Sequence, residues 1–450
     1  MRMNRLLLAL AGAALLALVF WKATRPAPAP KAPPPRVAIE PPPARASQPP
    51  RAALPPPIVR VPDGKPALDL DTLLAALAKA LRDGDAGEAK RLLAELAKAV
   101  KPATPPDEKN AALLYKKAFD LLAAVKLDEK ETALFMRDFD RNPLAPDEVE
   151  ALRALVDKHK EAFSLLRKAA AMPDCVFPIN YEDGMAALLP HVAPTILATK
   201  YLRLESALCR MDGDTAGASG STLAALALSR GIRNDSILIS QLVGVVTQGI
   251  AAQDLMRAFD RDSPDAIALA AGLDPSSARE GLVRSLYTEI TAAVGLFLHG
   301  DTSQMLGDDE RRVFENPLRL QDAAFYVDTM SKLIELSGRP YGEARAELEI
   351  LERGYETAPW YAYGTKLVLP ALGRASRNIA QSESFFAKAK LAAALKNYRF
   401  QAGAYPASLE ILGIPPRDPL TGEPFLYRRE GAGFVLETPG QPDFTWKSEK

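Results

Sequence analysis

The stretch from Phe385 to Asp443 decides the fold of the C-terminal part of this chain, and it has two halves. The first half, FFAKAKLAAALKNYRFQAG, is rich in Ala, Lys and Leu, which favour helix. The second half carries GAYPASLEIL, DPLTGEPFLYR and GAGFVLETPG, in which short apolar runs alternate with turn residues. The stretch therefore predicts a helix followed by short antiparallel strands.

Proline and glycine set the predicted turns of this stretch. Pro406 fixes its own φ and favours an extended residue before it, so the helix is predicted to end there. Asp418 and Pro419 open a turn, and Gly422 can supply the positive φ that closes it. The apolar residues of the following strands alternate, which predicts that one sheet face packs on the preceding helix. That helix carries an apolar residue every seven positions, at Leu372, Ile379, Phe386 and Ala393.

In this order, the segments resemble the C-terminal module of the G-type major pseudopilin of type II secretion. The resemblance implies a helix that runs into a small antiparallel cap, and a link to a secretion or pilus-type system. Two departures argue against a polymerising subunit. The tail QPDFTWKSEK is too short for the acidic calcium loop of those proteins, and the N-terminus has no Gly-Phe-Thr-Leu-x-Glu cleavage signature. The positions that carry the resemblance are Tyr398, Gly403, Tyr405, Pro406, Leu409, Asp418, Pro419, Gly422, Pro424, Tyr427 and Gly440.

Near the N-terminus, Leu6 to Trp21 form an uninterrupted apolar run of sixteen residues between Arg5 and Lys22. This is just under the ~17–25 residues of a usual spanning helix, and it suits a signal-peptide core or a short signal anchor. Phe20-Trp21-Lys22 makes a poor cleavage site, and no Cys follows the run closely. We therefore predict an uncleaved single-pass anchor in the bacterial inner membrane, with the body in the periplasm. Cleavage and export are the alternative.

The segment from Pro26 to Pro66 holds sixteen prolines. It cannot form a core and favours extended polyproline II, so a disordered, semi-rigid stem is predicted. From Met1 to Pro66 there are ten basic and two acidic residues, a net charge of +8, and because the whole chain is neutral the remainder carries −8. A solvated spacer is the simpler interpretation. Contact of this basic stem with anionic headgroups or cell-wall polymers is the alternative.

Between residues 67 and 363 apolar residues recur at helical spacing, with short turns between successive stripes. Such turns imply antiparallel neighbours. One helix is predicted to run from Pro146 through His159 to Leu166, and another to begin at a cap formed by Asp235. The body is therefore predicted to be all-α.

One long stretch of this body has a resemblance of its own. The sequence GDTAGASGSTLAALALSRGIRNDSILISQLVGVVTQGIA, from Gly213 to Ala251, resembles helical regions of uncharacterised envelope proteins of planctomycete-type bacteria. In those proteins the same pseudopilin-like ending follows. The resemblance implies no known activity.

Two Gly-Asp turns invite a calcium interpretation, because Asp83-Gly84-Asp85 and Asp212-Gly213-Asp214 each precede a helix. An EF-hand loop needs a Glu at its twelfth position. From Asp83 that position is Ala94, and from Asp212 it is Leu223. Both turns are therefore interpreted as solvated helix caps.

The three histidines, His159, His191 and His299, lie outside any H-E-x-x-H or C-x-x-C context, so no zinc site is predicted. His159 lies on an apolar stripe and is predicted to be a core histidine. His191 lies between two prolines and is predicted to lie at a helix kink, and His299 is predicted to lie at a helix end. Cys175 and Cys209 are the only cysteines. Two interpretations stay open: the two cysteines form a disulfide, or Cys209 serves as a small buried hydrophobic residue.

Five carboxylates are candidates for paired acid–base chemistry if the fold brings them together. Charged helix ends explain them equally well. Ser219-Gly220-Ser221 is not a nucleophile elbow, because no predicted strand precedes it, and no glycine-rich phosphate loop occurs. No catalytic residue, cofactor, metal or nucleic-acid partner is therefore predicted. The five carboxylates are Asp138, Asp140, Asp260, Asp262 and Glu289.

Together these patterns predict a mainly α fold, an irregular antiparallel helical array or bundle with a small C-terminal α/β, pseudopilin-like cap and an N-terminal membrane helix. The predicted segments are a signal anchor (1–25), a proline-rich stem (26–66), a helical domain (67–363), and a long helix plus β cap (364–450).

The predicted function is a membrane-anchored, periplasm-facing scaffold or interaction protein with an envelope protein partner. The alternatives are a hydrolase that uses acidic residues in a groove of the helical domain, and a divergent pseudopilin subunit. A deep pocket that gathers carboxylates or histidines would favour the hydrolase, whereas a broad apolar or charged groove would favour the scaffold.

Overall fold

The computed structural model describes residues 70–137, 144–260, 264–273, 277–299, 314, 316–369, 373–413 and 417–448. Over these ranges the chain is mainly α-helical and ends in a small antiparallel sheet, as predicted. The predicted anchor and stem lie outside the described residues. The helices are α1 (Leu70–Arg82), α2 (Ala86–Val100), α3 (Ala111–Ala124), α4 (Glu129–Met136), α5 (Pro146–Lys158), α6 (Lys160–Ala170), α7 (Val192–Met211), α8 (Thr215–Ile232), α9 (Leu238–Asp260), α10 (Pro264–Ala271), α11 (Ser277–His299), α12 (Arg319–Gly338), α13 (Tyr341–Glu356), α14 (Tyr363–Val368) and α15 (Gly373–Ala402). The strands are β1 (Leu426–Glu430), β2 (Gly433–Thr438) and β3 (Gln441–Ser448).

The two Gly-Asp turns are helix caps, as predicted. Asp85 accepts a hydrogen bond from the backbone N–H of Glu88 at 2.9 Å and begins α2. Asp214 accepts one from the N–H of Gly217 at 2.9 Å and begins α8. The glycine before each cap has positive φ, which ends the preceding helix and turns the chain back antiparallel.

The buried apolar residues form three clusters, named cores A, B and C. Core A lies among α1, α2, α11, α12 and α13. Core B lies among α3 to α8. Core C lies among α10, the end of α9 and the C-terminal strands.

Helices α9 and α15 contact each other and contribute to all three cores. The predicted apolar repeat of α15 explains this, because Ile379 belongs to core A, Phe386 to core B and Ala393 to core C. Leu372 lies outside the described residues. The expectation that Phe386 packs against the C-terminal sheet is therefore wrong. Its ring faces core B, since successive heptads of one helix pass different neighbours along its length.

Helix α11 is, within the described ranges, the one helix long and apolar enough to cross a membrane, over Ala278–Leu298. Its most apolar window is 67% buried inside the protein. Leu282, Ile290 and Phe297 all lie in core A. The apolar surface of α11 is thus used in packing.

The C-terminal sheet has the order β1-β2-β3, and both pairs are antiparallel. Phe434 and Leu436 of β2 are fully buried, and they pack in core C with Phe259 of α9 and Ile267 of α10. The prediction that the sheet packs on the preceding helix is confirmed, since Ala389 and Ala393 of α15 lie in core C with these strands, and the sheet has α9 and α10 as further partners. The predicted alternation is corrected for β2, which is buried on both faces, since Val435 is buried too.

The segment after Gly440 forms a further strand, which the sequence pattern did not predict. Residues of β3 pair with β2, with Trp446 opposite Leu436. The Trp446 ring is buried and stacks on Phe385 of α15 at a centroid distance of 5.5 Å. The boundary predicted between a helical domain (67–363) and a C-terminal unit (364–450) stays a prediction. Helix α15, in the second of these segments, contacts α9, α10, α11 and α13.

The single helix predicted through His159 is wrong, because α5 ends at Lys158 and α6 begins at Lys160. At the break His159 adopts φ −109° and ψ 10°. Helix α5 packs on α7, whereas α6 packs on α3 and α8, so the chain must change direction between them. The His159 ring packs on Tyr201 at 4.4 Å and is buried, as predicted for a core histidine.

Candidate functional site

An open groove of about 620 Å³ lies between α1, α11 and α12. Its floor consists of the buried apolar residues Leu74, Ala78 and Ile334, and the exposed Ala75 and Gly338 also line it. Ala75, Ala78 and Gly338 leave the space that larger side chains would fill, because each ends at or near the backbone. The apolar lining residues are Leu74, Ala75, Ala78, Val283, Ile334 and Gly338.

The rim of the groove is polar and predominantly acidic. Asp71, Asp328 and Glu335 supply three carboxylates, Arg82 supplies one guanidinium, and Lys332 beside the lining pairs with Glu335 at 2.9 Å. The Nη1 atom of Arg82 donates to both carboxylate oxygens of Asp328 at 2.7 Å, and both side chains are about half exposed. The hydroxyl of Tyr287 donates to Oδ1 of Asp71 at 2.5 Å. With Arg82 and Lys332 counted, the carboxylates exceed the cations by one, so the rim is slightly more attractive to a positively charged group than to an anion.

A second cavity, beside α13 and α15, holds only about 10 Å³. Arg279 of α11 donates to Glu383 of α15 at 2.9 Å, and Ser337 and Ser376 lie 2.9 Å apart. This volume corresponds to about one water molecule. The charged pair therefore joins two helices and leaves no room for a substrate.

Among the described residues, the cluster of His191, Asp235 and Ser240 has the residue types of a Ser-His-Asp catalytic triad. The Nε2 atom of His191 lies 2.7 Å from Oδ2 of Asp235, and the Ser240 hydroxyl donates to the same oxygen at 2.8 Å. The His191 ring stacks on Phe177 at 4.2 Å. The serine is bonded to the carboxylate instead of the imidazole, so the histidine is not placed to accept its proton. All three polar side chains are buried, which closes the cluster to a substrate.

The same cluster has a clear structural role around the turn between α8 and α9. The side-chain amide of Gln241 donates to the backbone carbonyls of Arg233 and Asp235, at 2.8 and 2.6 Å. The Tyr181 hydroxyl accepts from the backbone N–H of Ser236 at 3.2 Å. These bonds satisfy backbone groups that are buried away from water. Burial raises the pKa of Asp235, and the bonds from His191 and Ser240 oppose that rise.

Two sequence expectations are corrected at this turn. Asp235 does not cap α9, since its carboxylate faces His191 and Ser240. Glu289 of α11 takes that part instead, because its Oε1 accepts from the N–H of Leu238, the first residue of α9, at 3.2 Å. His191 precedes the first residue of α7 and does not lie at a kink inside a helix. Both changes depend on tertiary neighbours that local pattern does not reveal.

Of the five carboxylates proposed for acid–base chemistry, Glu289 can be placed. It is partly buried, and loss of hydration raises the pKa of its carboxyl to about 7. Asp138, Asp140 and Asp262 lie outside the described residues, as does the side chain of Asp260. Their convergence with Glu289 stays a hypothesis.

The described residues include no group of three or more His, Cys, Asp or Glu side chains that could hold a metal ion. His159 lies apart from His191, with Nε2 buried and without a hydrogen-bond partner in the described part of the chain, and burial lowers its pKa. The side chain of His299 is not described. Cys175 and Cys209 are free thiols, and burial raises the pKa of Cys209 to about 11.

The positions that carry the pseudopilin resemblance act in turns and packing. Gly403, Gly422 and Gly440 have φ of +76°, +77° and +68°, which favours glycine at each. Tyr405 is buried against Phe434, and the carbonyl of Pro406 accepts from the Tyr427 hydroxyl at 2.8 Å. Of the other positions, Leu409 and Asp418 are buried, Tyr398 and Pro419 are partly buried, and Pro424 is exposed.

Asp418 is buried at the start of the turn of residues 418–422, named the cap turn. Its two carboxylate oxygens accept from the Leu420 N–H at 2.8 Å and from the Ser384 hydroxyl of α15 at 3.0 Å. Beside it, Lys388 of α15 donates to the Thr438 hydroxyl at 2.9 Å, and burial lowers the Lys388 pKa to about 8. The turn is therefore joined to α15 by a buried polar network.

The cap turn also touches the helical body directly. The N–H of Gly342, near the start of α13, donates to the carbonyl of Pro419 at 3.1 Å. A Cβ atom at Gly342 would lie 2.2 Å from the backbone nitrogen of Gly422. Only glycine allows this approach without a shift of the backbone.

Comparisons with protein-family models, curated proteins and solved structures found no match to this chain.

Proposed function

We propose that this chain is a scaffold or interaction protein, anchored in the bacterial inner membrane through Leu6 to Trp21, whose periplasm-facing body binds an envelope protein in the α1–α11–α12 groove. The observation that supports this proposal is the groove itself, which is open, has an apolar floor and carries a charged rim. By contrast, the His191–Asp235–Ser240 cluster is closed to solvent. An apolar floor within a polar rim is the common anatomy of a protein-binding surface.

The chemistry of the groove narrows the kind of partner. The excess of one carboxylate over the cations Arg82 and Lys332 favours a basic segment, and the small residues of the lining favour one that places apolar side chains between the helices. The pseudopilin resemblance supports a partner in a secretion or pilus-type system. That link is part of the proposal and rests on the resemblance alone.

Site-specific photo-crosslinking in envelope membranes tests the groove. A crosslinker at Ser331, inside the groove, is expected to capture a distinct protein. The same crosslinker at Lys117, exposed on α3, serves as the control. Glu335→Lys is expected to reduce capture, because it reverses a rim charge. Glu349→Lys is the matched control, since Glu349 is an exposed carboxylate on α13 that likewise pairs with a basic residue of its own helix.

Two outcomes would contradict the proposal. Equal capture from Ser331 and Lys117, or equal loss in the two Glu→Lys variants, would mean that the groove is not the binding surface. A crosslink from Ser331 to residues 26–66 of the same chain would identify the basic stem as the occupant in place of a partner.

A further inference from the structure

The turn between α13 and α14 displays aromatic side chains to solvent. Trp360 is 70% exposed and Tyr363 is 48% exposed, and both belong to the sequence Thr-Ala-Pro-Trp-Tyr-Ala-Tyr of residues 357–363. The ring of Tyr361 meets Trp360 edge to face at 6.0 Å. Large aromatic rings are usually buried when a fold can bury them, so two exposed rings in one turn call for a physical explanation.

Buried residues and backbone hydrogen bonds fix the turn on the side that faces the protein interior. Ala358 and Ala362 are buried, and the backbone N–H of Ala362 donates to the carbonyl of Pro359 at 3.0 Å. Tyr363 N–H donates to the carbonyl of Tyr361 at 2.9 Å. The exposed rings are therefore carried by a hydrogen-bonded turn with a buried underside.

A buried carboxylate holds the end of the turn. Asp322 of α12 accepts from the N–H of Gly364 at 2.7 Å, from the N–H of Thr365 at 3.2 Å and from the Thr365 hydroxyl at 2.6 Å. A Cβ atom at Gly364 would lie 2.6 Å from the ring of Phe297 in core A. The backbone under the aromatic rings is thus packed tightly, and Trp360 and Tyr363 are preorganised in their outward positions.

The residues around the turn fit the surface of a lipid bilayer. Trp and Tyr combine an apolar ring with a polar edge and prefer the headgroup region of a membrane. Exposed Arg353 and Lys366 flank the turn; Glu352 and Glu356 balance their charges in sequence, but Glu352 is partly buried and close to Arg374 and Arg377. Cations beside interfacial aromatics add attraction to anionic lipids. A stable protein interface needs about 20–30 residues a side, whereas insertion of a few rings at one turn is enough to contact a bilayer.

We infer that the turn of residues 357–363 inserts Trp360 and Tyr363 into the headgroup region of an anionic membrane, as a lipid contact of the folded body. This contact is separate from the N-terminal anchor and from the groove.

The tryptophan content of the chain allows a direct test with the full-length protein. The three tryptophans are Trp21 in the predicted anchor, Trp360 in the turn, and the buried Trp446. In a Trp21→Phe chain bound to vesicles of phosphatidylcholine and phosphatidylglycerol, Trp360 is expected to be quenched by brominated acyl chains and protected from iodide. The effect is expected to weaken in vesicles of phosphatidylcholine alone and with Lys366→Glu.

The control moves the exposed indole to another surface. Phe400, at the end of α15, is 60% exposed, so Phe400→Trp combined with Trp21→Phe and Trp360→Phe places one exposed tryptophan away from the turn. Lipid quenching at position 400 is expected to be several-fold weaker than at position 360. Far-UV circular dichroism checks that each variant is folded.

Three results would overturn the inference. Trp360 could remain open to iodide and unaffected by brominated lipid. It could be protected from iodide without lipid quenching, which would point to a protein partner or a second copy at the turn. Equal lipid quenching at positions 360 and 400 would show that vesicle binding alone brings both surfaces near lipid.

Discussion

Replacing Phe386 with Ala tests whether α15 holds the helical body together. The Phe386 side chain is buried in core B, and its ring meets Phe385 edge to face at 5.5 Å. A buried aromatic side chain removes about 150–250 Å² from water, worth about 4–6 kcal/mol at ~25 cal/mol per Å². Measured truncations of buried Phe to Ala cost about 3–5 kcal/mol, a range that includes the residual cavity. We expect a loss of about 3–5 kcal/mol in the free energy of unfolding.

Urea unfolding of the full chain, followed by circular dichroism and by tryptophan fluorescence, measures this loss. In a Trp21→Phe, Trp360→Phe background the fluorescence comes from Trp446 alone, and because Phe385 stacks on Trp446, the fluorescence of the cap and the helicity of the body are expected to shift together. Phe400→Ala is the control, since that ring is exposed and its loss should change stability by no more than about 0.5 kcal/mol. A loss below about 1 kcal/mol for Phe386→Ala, or a shift of circular dichroism that leaves fluorescence unchanged, would refute the idea that α15 holds the body together.

Three further predictions concern other parts of the chain. Gly342→Ala should destabilise the protein by about 1–3 kcal/mol, because the added methyl group meets the Gly422 backbone. Gly354→Ala on the same helix has open space and should be neutral or stabilising. Thermal unfolding of the two variants measures the difference, and equal effects would contradict the contact. The folded-state pKa of Glu289, about 7, lies above its ordinary 4.5, so the protonated form stabilises the fold. As the pH rises from about 4.5 to 7, the free energy of unfolding of the wild type should fall by up to about 3 kcal/mol relative to that of Glu289→Gln. Parallel pH profiles of stability for the two proteins would argue against a raised pKa. Carbonate extraction should leave the chain in the membrane fraction, and a soluble mature product without Met1 to Trp21 would disprove the anchor.

The local features of the fold could be predicted from the sequence. The Gly-Asp turns preceding α2 and α8 carry their own signal, since an αL glycine followed by an Asp cap needs no distant partner. The positive φ of Gly422 and the turn around it follow from Asp418 and Pro419 in the same way. These features depend on neighbours within a few residues.

The features that sequence pattern missed depend on distant contacts. His159 interrupts a regular apolar stripe because α5 and α6 pack on different helices. β3 lies in a short polar-looking tail, and Trp446 becomes part of core C only through β2 and α15. The groove arises where small residues of α1 meet α11 and α12, which are more than 190 positions away along the chain. No local signal marks such a surface.

The position of α15 near the C-terminus sets the order in which this protein can mature. Each of cores A, B and C takes residues from α15, so none is complete until almost the whole chain has been synthesised. At about 5–20 residues per second, the earlier helices wait many seconds for their last partner. A chain that terminates before α15 leaves three apolar surfaces uncovered at once, which exposes it to aggregation and proteolysis.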